Sequence, residues 1–316
     1  MQFSGGGGGV SGLLWQFATC TGLAGTGCQH GRGRCCRRDV MIELDPAFAA
    51  GLPADVDPFD YIMQLDGELY RDVANRRTLR FEQQGRRYFL KAHYGVGWKE
   101  IFKNLLQLKL PVVGARNEWL AIQRLEQLGV ETMTLVGHGQ RGRNPATRQS
   151  FVITEALEET ASLEDFCGAW EQDPPVTRAG ILLKRELINR IAKISRIMHG
   201  NGINHRDYYI CHFLLDVSGD VLAKPPDSLR LSLIDLHRVQ LRRHTPERWI
   251  VKDVGGLYFS SMRIGLTRRD VYRFMIAYRG KPLRATLAED ARFWSRCRLR
   301  AYSLYHSFYH ELPAAD

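Results

Sequence analysis

Apolar and polar positions alternate in the first half of the chain and follow a helical period in the second half. Residues 70–94, YRDVANRRTLRFEQQGRRYFLKAHY, contain two runs typical of β-strands that meet at Gly85, which predicts a hairpin. The second run alternates and places Lys91 at its end. Residues 132–157, TMTLVGHGQRGRNPATRQSFVITEAL, predict a strand, a polar turn and a second strand.

Two amphipathic helices are predicted between these strand regions. The segment GWKEIFKNLLQLKLP carries its apolar residues mostly on one helical face and is expected to end at Pro111. The segment ARNEWLAIQRLEQLG predicts a second helix, closed by Gly129 as a C-terminal cap.

Helical patterns dominate after Leu157. Ser162 is a plausible N-cap for SLEDFCGAW, and RELINRIAKISRIMHGNG predicts a long helix that ends at Gly200. Two short strands follow, in HFLLDV and LRLSLIDL, separated by a turn-rich insert. From about Lys252 the chain is helical, Arg-rich and aromatic.

The first 40 residues differ from the rest of the 316-residue chain. They are Gly-rich, have no apolar period and lack the continuous apolar core of a secretory signal. We expect residues 1–40 to be disordered or a mis-called extension, with Met41 as the native start. A group of cysteines occurs there with His30, but it lacks the paired CxxC pattern, so the sequence does not favour a metal site; the cysteines are Cys20, Cys28, Cys35 and Cys36.

Composition narrows the range of partners and compartments. The formal net charge is +10, which favours anionic partners such as phosphorylated sugars, a membrane surface, an acidic protein or nucleic acid. No apolar run reaches the ~18 residues that a membrane-spanning helix needs. Only three cysteines occur after residue 40, which indicates a reducing compartment without a disulfide framework. No helix-turn-helix, zinc-finger or RNA-recognition motif supports nucleic-acid binding.

Four side chains appear in the order that phosphoryl transfer requires. Lys91, at the end of a strand, can reach nucleotide phosphates, and Glu118, on the following helix, can pair with it. Asp207, in the sequence HRD, can accept a proton from an acceptor hydroxyl or orient that hydroxyl. Asp235 lies at the end of a strand, where a carboxylate can bind Mg²⁺.

The same order predicts an α+β, two-lobed protein-kinase-like fold, with a small β-rich N-lobe over 41–157 and a larger helical C-lobe over 158–316. In that arrangement Glu155 and Leu157, where the last strand of the small lobe meets the hinge, are expected to bind the nucleotide. His205 and Arg206 are expected to be scaffolding. Asp253 either accepts N–H bonds from the loop around Asp207 or is a solvated residue at a helix start.

Three positions depart from the wider kinase pattern. RDVANRRTLR stands where a glycine-rich loop would cover the phosphates, which leaves this role to backbone amides and Arg76 or Arg77. Leu236 and His237 replace the usual Phe-Gly pair. His212 replaces an asparagine; it either binds the metal weakly, hydrogen-bonds Asp207 or a phosphate, or is buried for structural reasons.

The motifs GWKEIFKNLLQLKLPVVGARNEW, NHRDYYICHFLL and LSLIDLHRVQ closely resemble the lipopolysaccharide core heptose(I) kinase family, the RfaP/WaaP type. The resemblance covers nearly the whole chain from Met41. It implies ATP- and Mg²⁺-dependent phosphorylation of the first heptose of the lipopolysaccharide inner core, on the cytoplasmic face of a Gram-negative inner membrane. It also implies acyl carrier protein as a partner, and it favours a site role for His212.

Two other functions remain open. The same fold could phosphorylate another hydroxyl, on a protein Tyr or Ser or on a small molecule. A pseudokinase could bind lipid saccharide or carrier protein without catalysis, although the intact set of Lys91, Glu118, Asp207 and Asp235 counts against it.

Peripheral membrane contact would explain the basic charge of a chain that has no predicted membrane span. The segment around Trp98 and Phe102, with Lys99, Lys103 and Lys109, would lie in the membrane interface, or its apolar face would instead pack on the small lobe. The Arg-rich stretch HRVQLRRHTPERW is a second candidate for contact with anionic lipid.

Overall fold

The computed structural model describes residues 39–73, 75–106 and 114–313. Residues 1–38, with the four N-terminal cysteines, lie outside the described residues, as do Lys109 and Pro111. The expectations for the N-terminal extension and for the helix end at Pro111 therefore stay predictions.

The N-lobe is a six-stranded sheet in which every neighbouring pair is antiparallel. Its spatial order is β1-β5-β6-β4-β3-β2. The strands are β1 Val40–Leu44, β2 Glu68–Val73, β3 Arg76–Gln83, β4 Arg86–His93, β5 Leu135–Arg141 and β6 Gln149–Glu155. The lobe also contains helices α1 Pro46–Ala49, α2 Pro58–Gln64, α3 Gly97–Leu106 and α4 Arg116–Gln127.

The predicted hairpin at Gly85 is confirmed. Strands β3 and β4 are joined by Gln84 and Gly85, and both residues have positive φ, 54° and 72°. A two-residue turn of this kind matches the right-handed twist of the strands, and glycine adopts it without steric cost. Because this turn fixes the register, Thr78 lies opposite Lys91.

The two faces of the N-lobe sheet have different roles. One face forms an apolar core with α1 and α2, which includes Phe48, Phe59, Ile62, Leu79, Leu90 and Ile153. Side chains alternate between faces along a strand, so Lys91, next to Leu90 on β4, points to the opposite side. That side meets α4, whose buried residues Trp119, Ile122 and Leu125 belong to the core of the C-lobe.

The C-lobe is built mainly of helices around short strands. Its helices are α5 Leu163–Cys167, α6 Arg178–Gly200, α7 Glu247–Ser260, α8 Arg268–Arg279, α9 Leu283–Glu289 and α10 Ala291–Tyr309. Its strands are β7 Thr160–Ser162, β8 Ile203–Asn204, β9 Phe213–Asp216, β10 Leu231–Leu233 and β11 Gln240–Leu241. Strands β7, β9 and β10 form one antiparallel sheet, and β8 pairs with β11.

Three predicted helix boundaries are confirmed, at Ser162, Gly129 and Gly200, whereas α6 begins at Arg178, seven residues before the predicted segment. The Oγ of Ser162 accepts the N–H of Asp165 at 3.1 Å, which caps α5. The N–H of Val130 donates to the carbonyl of Leu125 in the last turn of α4, through a turn at Gly129, which has φ of 68°. Helix α6 ends at Gly200.

Helix α3 exposes three of its apolar side chains. Ile101 is buried, whereas Trp98, Phe102 and Leu106 are 50%, 57% and 86% exposed. These three residues follow one another at intervals of four, so they share one face of the helix. The alternative in which this face packs on the small lobe is therefore wrong for these three side chains.

An apolar cavity of about 750 Å³ lies inside the C-lobe, between α6, α7, α8 and α10. Its lining includes Leu187, Ile191, Leu257, Met275 and Trp294. Lys91, Glu118, Asp207 and Asp235 do not line it. The cavity is therefore separate from the predicted phosphotransfer residues.

Candidate active site

Lys91 and Glu118 form an ion pair between the sheet and helix α4. The Nζ of Lys91 lies 2.5 Å from Oε1 of Glu118, and Glu118 is 1% exposed. The second oxygen, Oε2, is buried and has no hydrogen-bond partner within the described residues. The pair fixes the ammonium group of Lys91 at the cleft side of β4, as the sequence predicts.

The register of β3 and β4 decides between Arg76 and Arg77. Arg76 lies opposite His93, which shares the face of Lys91 on β4. The Nε of Arg76 is buried and lacks a hydrogen-bond partner in the described part of the chain. Burial, with the charges of Arg76 and Lys91, lowers the pKa of His93 to about 3.

Arg77 points to the other face of the sheet. Its guanidinium donates to the Leu65 carbonyl at 3.1 Å and pairs with Asp66 at 2.9 Å. The expectation that either arginine covers the phosphates is therefore wrong for Arg77, because successive residues of a strand face opposite sides.

The loop that carries Asp207 is held by Asp253 of helix α7. Asp253 is 1% exposed, and its two carboxylate oxygens accept the backbone N–H groups of His205 at 2.6 Å and Arg206 at 2.9 Å. The predicted loop-holding role of Asp253 is confirmed. Arg206 takes a positive φ of 78°, a strained conformation for a non-glycine residue that these bonds help to maintain.

His205 has a scaffolding position, as predicted. Its side chain is fully buried, and its Nε2 lies 3.0 Å from the carbonyl oxygen of Ile234, so it donates a hydrogen bond there. Burial lowers the pKa of His205, which favours the neutral ring. His205 thereby ties the loop of Asp207 to the segment that carries Asp235.

Gly202 makes the entry to this loop possible. Its φ is 79°, and its carbonyl accepts the N–H of Arg242 at 2.9 Å. A Cβ at this position would lie 1.8 Å from the Arg242 carbonyl oxygen, closer than any side chain tolerates. Only glycine fits there without a shift of one of the two segments.

The Asp207 carboxylate is bound by Arg238, which lies in the short 3₁₀ turn after strand β10. Nη1 of Arg238 donates to Oδ1 of Asp207 at 2.6 Å. The Asp207 side chain is 16% exposed and that of Arg238 40%, so both are accessible from the cleft. The other carboxylate oxygen of Asp207, Oδ2, has no hydrogen-bond partner in the described part of the chain.

Asp235 lies at the start of a short 3₁₀ turn, Leu236–Arg238, after strand β10. Its φ of 60° and ψ of 51° are left-handed, an uncommon conformation that aspartate tolerates better than most residues. The ring nitrogen Nδ1 of His237 lies 2.6 Å from Oδ1 of Asp235. Burial alone would raise the pKa of Asp235, but the hydrogen bond and charge of His237, with the charge of Lys91, hold that pKa below its usual range.

His212 faces the backbone of Asp207 on one side and the carboxylate of Asp235 on the other. Its Nδ1 lies 2.7 Å from the Asp207 carbonyl oxygen, which can only accept a hydrogen bond, so Nδ1 carries the proton. Its Nε2 lies 3.6 Å from Oδ2 of Asp235. The interaction of His212 with Asp207 is therefore through the main chain, and its free nitrogen points to Asp235.

The donor set fits a nucleotide-bound Mg²⁺. In the described part of the chain, no three His, Cys, Asp or Glu side chains form a metal cage. Mg²⁺ in kinase-type sites needs no such cage, because one or two carboxylates, substrate phosphates and water complete its shell. Asp235, whose pKa is held low and whose Oδ2 is turned to the Nε2 of His212, would supply the carboxylate.

The predicted nucleotide-binding residues at the end of β6 lie where the two lobes meet. The Glu155 carboxylate pairs with Arg86 at 3.3 Å and turns away from the cleft. The Ala156 N–H donates to the Arg87 carbonyl at 2.9 Å. Within the described residues no main-chain carbonyl accepts the N–H of Leu157, so this N–H is available to a ligand.

The structure thus links the predicted residues through contacts: His212 lies between the Asp207 main chain and the Asp235 carboxylate, and Lys91, paired with Glu118, is close enough for its charge to act on Asp235. Sequence reasoning missed His237 and Arg238, which hold Asp235 and Asp207. Both lie within three residues of Asp235 in LIDLHR, so their nearness to Asp235 could be read from the sequence. Only the 3₁₀ turn shows that their side chains reach Asp235 and Asp207. Arg238 belongs to the Arg-rich stretch HRVQLRRHTPERW, which is a candidate for contact with anionic lipid. Because Arg238 pairs with Asp207, it is not free for that contact.

Comparison with known proteins gives a consistent result. Residues 60–278 match the "Lipopolysaccharide kinase (Kdo/WaaP) family". Over 261 residues the chain is 50% identical to the lipopolysaccharide core heptose(I) kinase WaaP of Escherichia coli, with 83% of this chain and 96% of that protein covered. It is also 50% identical over 249 residues to WaaP of Pseudomonas aeruginosa, with 79% and 90% covered.

A solved structure, WaaP in complex with acyl carrier protein, superposes on the chain with a TM-score of 0.71. The sequences are 43% identical, and the match covers 84% of this chain and 99% of the solved one. The expected kinase-like fold, an antiparallel N-terminal sheet followed by a mainly helical region, is confirmed.

Proposed function

The chain belongs to the lipopolysaccharide kinase (Kdo/WaaP) family and is a heptose(I) kinase of the lipopolysaccharide core, and we propose that the side chains around Asp207 and Asp235 perform the transfer. In this reaction the bond between the γ-phosphorus and the β,γ-bridging oxygen of ATP breaks. A new bond forms from that phosphorus to a heptose oxygen. The observation that supports the assignment is that His212 contacts both the Asp207 main chain and the Asp235 carboxylate, while the charge of Lys91 acts on Asp235.

Lys91 is proposed to bind the phosphates of ATP. Its ammonium is fixed by Glu118 at 2.5 Å, so little side-chain entropy is lost when a phosphate approaches. The unpaired Nε of Arg76 and the available N–H of Leu157 are proposed to contact the phosphates and the base, respectively. Glu155 is proposed to take part through its main-chain carbonyl, because its carboxylate pairs with Arg86 and its N–H donates to the Thr134 carbonyl at 3.0 Å.

Asp207 is proposed to orient the acceptor hydroxyl and take its proton. Arg238 binds one carboxylate oxygen at 2.6 Å, which fixes the direction of the other oxygen towards the cleft. The hydrogen bonds from His205 and Arg206 to Asp253 keep the loop in place during the transfer. Such positioning is the main contribution a protein makes to phosphoryl transfer.

Asp235 and His212 are proposed to hold Mg²⁺. When bound, this ion neutralises the charge of the phosphates that Asp235 faces. The clamp by His237 keeps the Asp235 carboxylate ionised and fixes its Oδ2 towards His212. His212 in turn is oriented by its hydrogen bond to the Asp207 carbonyl.

The direct test is transfer of ³²P from labelled ATP to purified heptose-containing core. We expect incorporation by the wild type and a loss of at least about 10²-fold in Asp207→Ala. Asp227→Ala, an exposed aspartate in the turn before β10, is the matched control and should keep full activity. Undiminished transfer by Asp207→Ala would remove its role, and a wild type inactive on every core acceptor would favour a pseudokinase or another hydroxyl.

Contact with the cytoplasmic surface of the inner membrane is proposed for helix α3. The rings of Trp98 and Phe102 stack at 5.7 Å and are exposed together with Leu106, and Lys99 is exposed beside them. Aromatic rings flanked by lysines suit the interface of an anionic membrane. No helix in the described part of the chain has the length and apolar content needed to cross a bilayer.

Flotation with anionic vesicles tests this contact. Trp98→Ala/Phe102→Ala should lose most of its vesicle-bound fraction while keeping its thermal transition. The control, Leu222→Ala/Leu299→Ala, removes two leucines that are 52% and 63% exposed elsewhere and should float like the wild type. Equal flotation of both variants would exclude α3 as the contact.

Acyl carrier protein is proposed as a partner of this chain. The support is the solved complex of a relative and the net charge of +10, which suits an acidic protein. Size-exclusion chromatography of the two purified proteins should show co-elution that weakens with salt. Separate elution at low ionic strength would contradict the proposal.

A further inference from the structure

Four basic side chains surround one tryptophan beside the loop of Asp207. The cationic groups of Arg206, Arg242, Arg248 and Lys252 lie 5.7, 5.6, 5.6 and 4.4 Å from the ring centroid of Trp249. We call these five residues the Trp249 cluster. They come from the loop of Asp207, the segment after β11 and the first turns of α7. The fold therefore brings three segments together at one ring.

The cations of the Trp249 cluster lack matching carboxylates. Within the described residues none of the four forms an ion pair with an acidic side chain. The nearby acidic groups are engaged elsewhere: Asp253 accepts two loop N–H groups, Asp207 binds Arg238, and Glu247 pairs with Arg296. Arg242 itself donates to the amide oxygens of Asn204 and Gln240.

Cations of the cluster lie close enough to act on one another. Burial, then the charge of Arg238 beside the cluster, lowers the pKa of Arg206, and the charge of Arg242 lowers it further. Burial, then the charge of Arg248, lowers the pKa of Arg242. Nε1 of Trp249 is buried and has no hydrogen-bond partner in the described part of the chain. An anion bound among the four cations would offset the repulsion between them.

From this geometry we propose that the Trp249 cluster is an anion subsite that binds a carboxylate or phosphate group of the saccharide acceptor. The cluster adjoins Asp207 through Arg206, its neighbour in sequence, and the charges of Asp207 and of its partner Arg238 both act on Arg206. An acceptor held there by its acidic group would present a hydroxyl to Asp207. This role rests on the proposed kinase function, and it is distinct from binding of ATP at Lys91 and Asp235.

Binding can be measured without catalysis. Full-length protein with its nucleotide cleft saturated by a non-hydrolysable ATP analogue and Mg²⁺ is titrated with inorganic phosphate in one arm and malonate in the other. The readout is the indole N–H resonance of Trp249, assigned with Trp249→Phe. We expect a saturable shift in the wild type that is lost in Arg248→Gln/Lys252→Gln.

The two arms identify the group that is recognised. A shift with phosphate alone indicates a phosphate group, one with malonate alone a carboxylate, and shifts with both indicate either anion. Absence of a shift in both arms, or an equal shift in Arg248→Gln/Lys252→Gln, would overturn the subsite. This result does not depend on whether the chain phosphorylates heptose.

Kinetics then connect the subsite to the acceptor. Arg248→Gln/Lys252→Gln should raise the acceptor KM about tenfold, the change in an equilibrium constant expected from two surface charge contacts. The kcat and the KM for ATP should stay within about twofold. Arg178→Gln/Arg185→Gln, the same charge change on exposed residues in the first half of α6, should leave all three constants unchanged.

Acceptors with one anion removed complete the test. Carboxyl-reduced core lacks the carboxylates, and phosphatase-treated core lacks the phosphates. The core without the recognised group should have a raised KM with the wild type. Its KM should not rise further with Arg248→Gln/Lys252→Gln. An unchanged acceptor KM in the double variant would contradict the proposal. If the wild type transfers no phosphate, the proposed function is wrong, whereas the binding result is unaffected.

Discussion

The ammonium of Lys91 lies 2.5 Å from the carboxylate of Glu118, a side chain that is 1% exposed. A buried carboxylate without a partner is strongly destabilising, whereas a pair replaced as a unit is tolerated better. The pair therefore couples the stability of the small lobe to the position of the residue that is proposed to bind ATP.

Lys91→Met should lower the free energy of unfolding by about 3–5 kcal/mol, because it leaves Glu118 buried and uncompensated. Glu118→Gln should cost less, since Lys91 is 19% exposed and can reach water. In Lys91→Met/Glu118→Gln the loss should be smaller than the sum of the single losses. Urea denaturation of all four proteins gives the coupling, and strictly additive losses would mean that the pair is not formed.

Asp253→Ala should destabilise the loop of Asp207 directly. It removes the acceptor of two buried N–H groups, at His205 and Arg206, and each buried donor left unsatisfied costs about 1–3 kcal/mol. Asp253→Asn keeps one oxygen acceptor and should lose roughly half as much. Amide hydrogen exchange at residues 205 and 206 and the thermal transition measure both effects; unchanged protection in Asp253→Ala would contradict the loop-holding role.

Gly202→Ala should be poorly tolerated. The added Cβ would meet the Arg242 carbonyl at 1.8 Å in a left-handed backbone, so we expect a loss of more than about 2 kcal/mol in unfolding free energy. Gly168→Ala is the matched control, because its backbone is right-handed and nothing lies within 4 Å of the new methyl. Chemical denaturation of the two variants should show opposite outcomes, with Gly168→Ala neutral or stabilised.

Local patterns account for most of the fold that the sequence predicts. Three features depend only on residues close in sequence, so a short segment predicts each of them. They are the alternation up to Lys91, the turn at Gly85 and the helix end at Gly129. The order of strand-end lysine, helix glutamate and HRD loop then restricts the architecture. The helix Pro58–Gln64 was not foreseen, although Asp57 caps it, because it is only seven residues long.

Contacts between distant segments could not be predicted in the same way. Arg238 reaches Asp207 only because the 3₁₀ turn after Asp235 folds back onto the loop. Arg76 and Arg77 were left undecided because the register of β3 against β4 sets which of them faces Lys91. The Trp249 cluster combines positions 206, 242, 248 and 252, and no single window contains them.

Acid should destabilise the small lobe through His138. Burial lowers the pKa of His138 to about 4, well below its ordinary value of 6.5, so the unfolded chain binds the proton more tightly. This contribution to stability is therefore complete above pH 6.5 and is lost as the pH falls towards 4, at about 1.4 kcal/mol per pH unit. Its ring lies on Trp119, with centroids 4.6 Å apart.

His138→Phe keeps an aromatic contact with Trp119 and removes the titration. Between pH 6.5 and 4 its unfolding free energy should fall less steeply than that of the wild type. His306→Phe, an exposed histidine on α10, serves as the control and should retain the wild-type slope. Parallel pH profiles for His138→Phe and the wild type would show that His138 is protonated in the folded state.

His212→Asn restores the residue that the wider kinase pattern has at this position, and it tests whether His212 is a metal ligand. Nδ1 of His212 donates to the Asp207 carbonyl, so its Nε2 faces Oδ2 of Asp235 at 3.6 Å as a second lone-pair donor. Two such donors at this distance repel each other unless a cation lies between them or the ring is protonated. An amide oxygen is a harder ligand and suits Mg²⁺ better than imidazole does.

We therefore expect His212→Asn to keep transfer activity and to reach half-maximal rate at a lower Mg²⁺ concentration. With Mn²⁺, which accepts imidazole more readily, the two proteins should differ less. Rates measured across both metal series, with His306→Asn as the control, separate this role from a structural one. The same Mg²⁺ dependence in His212→Asn and the wild type would argue against ligation and leave His212 as the residue that orients the Asp207 main chain.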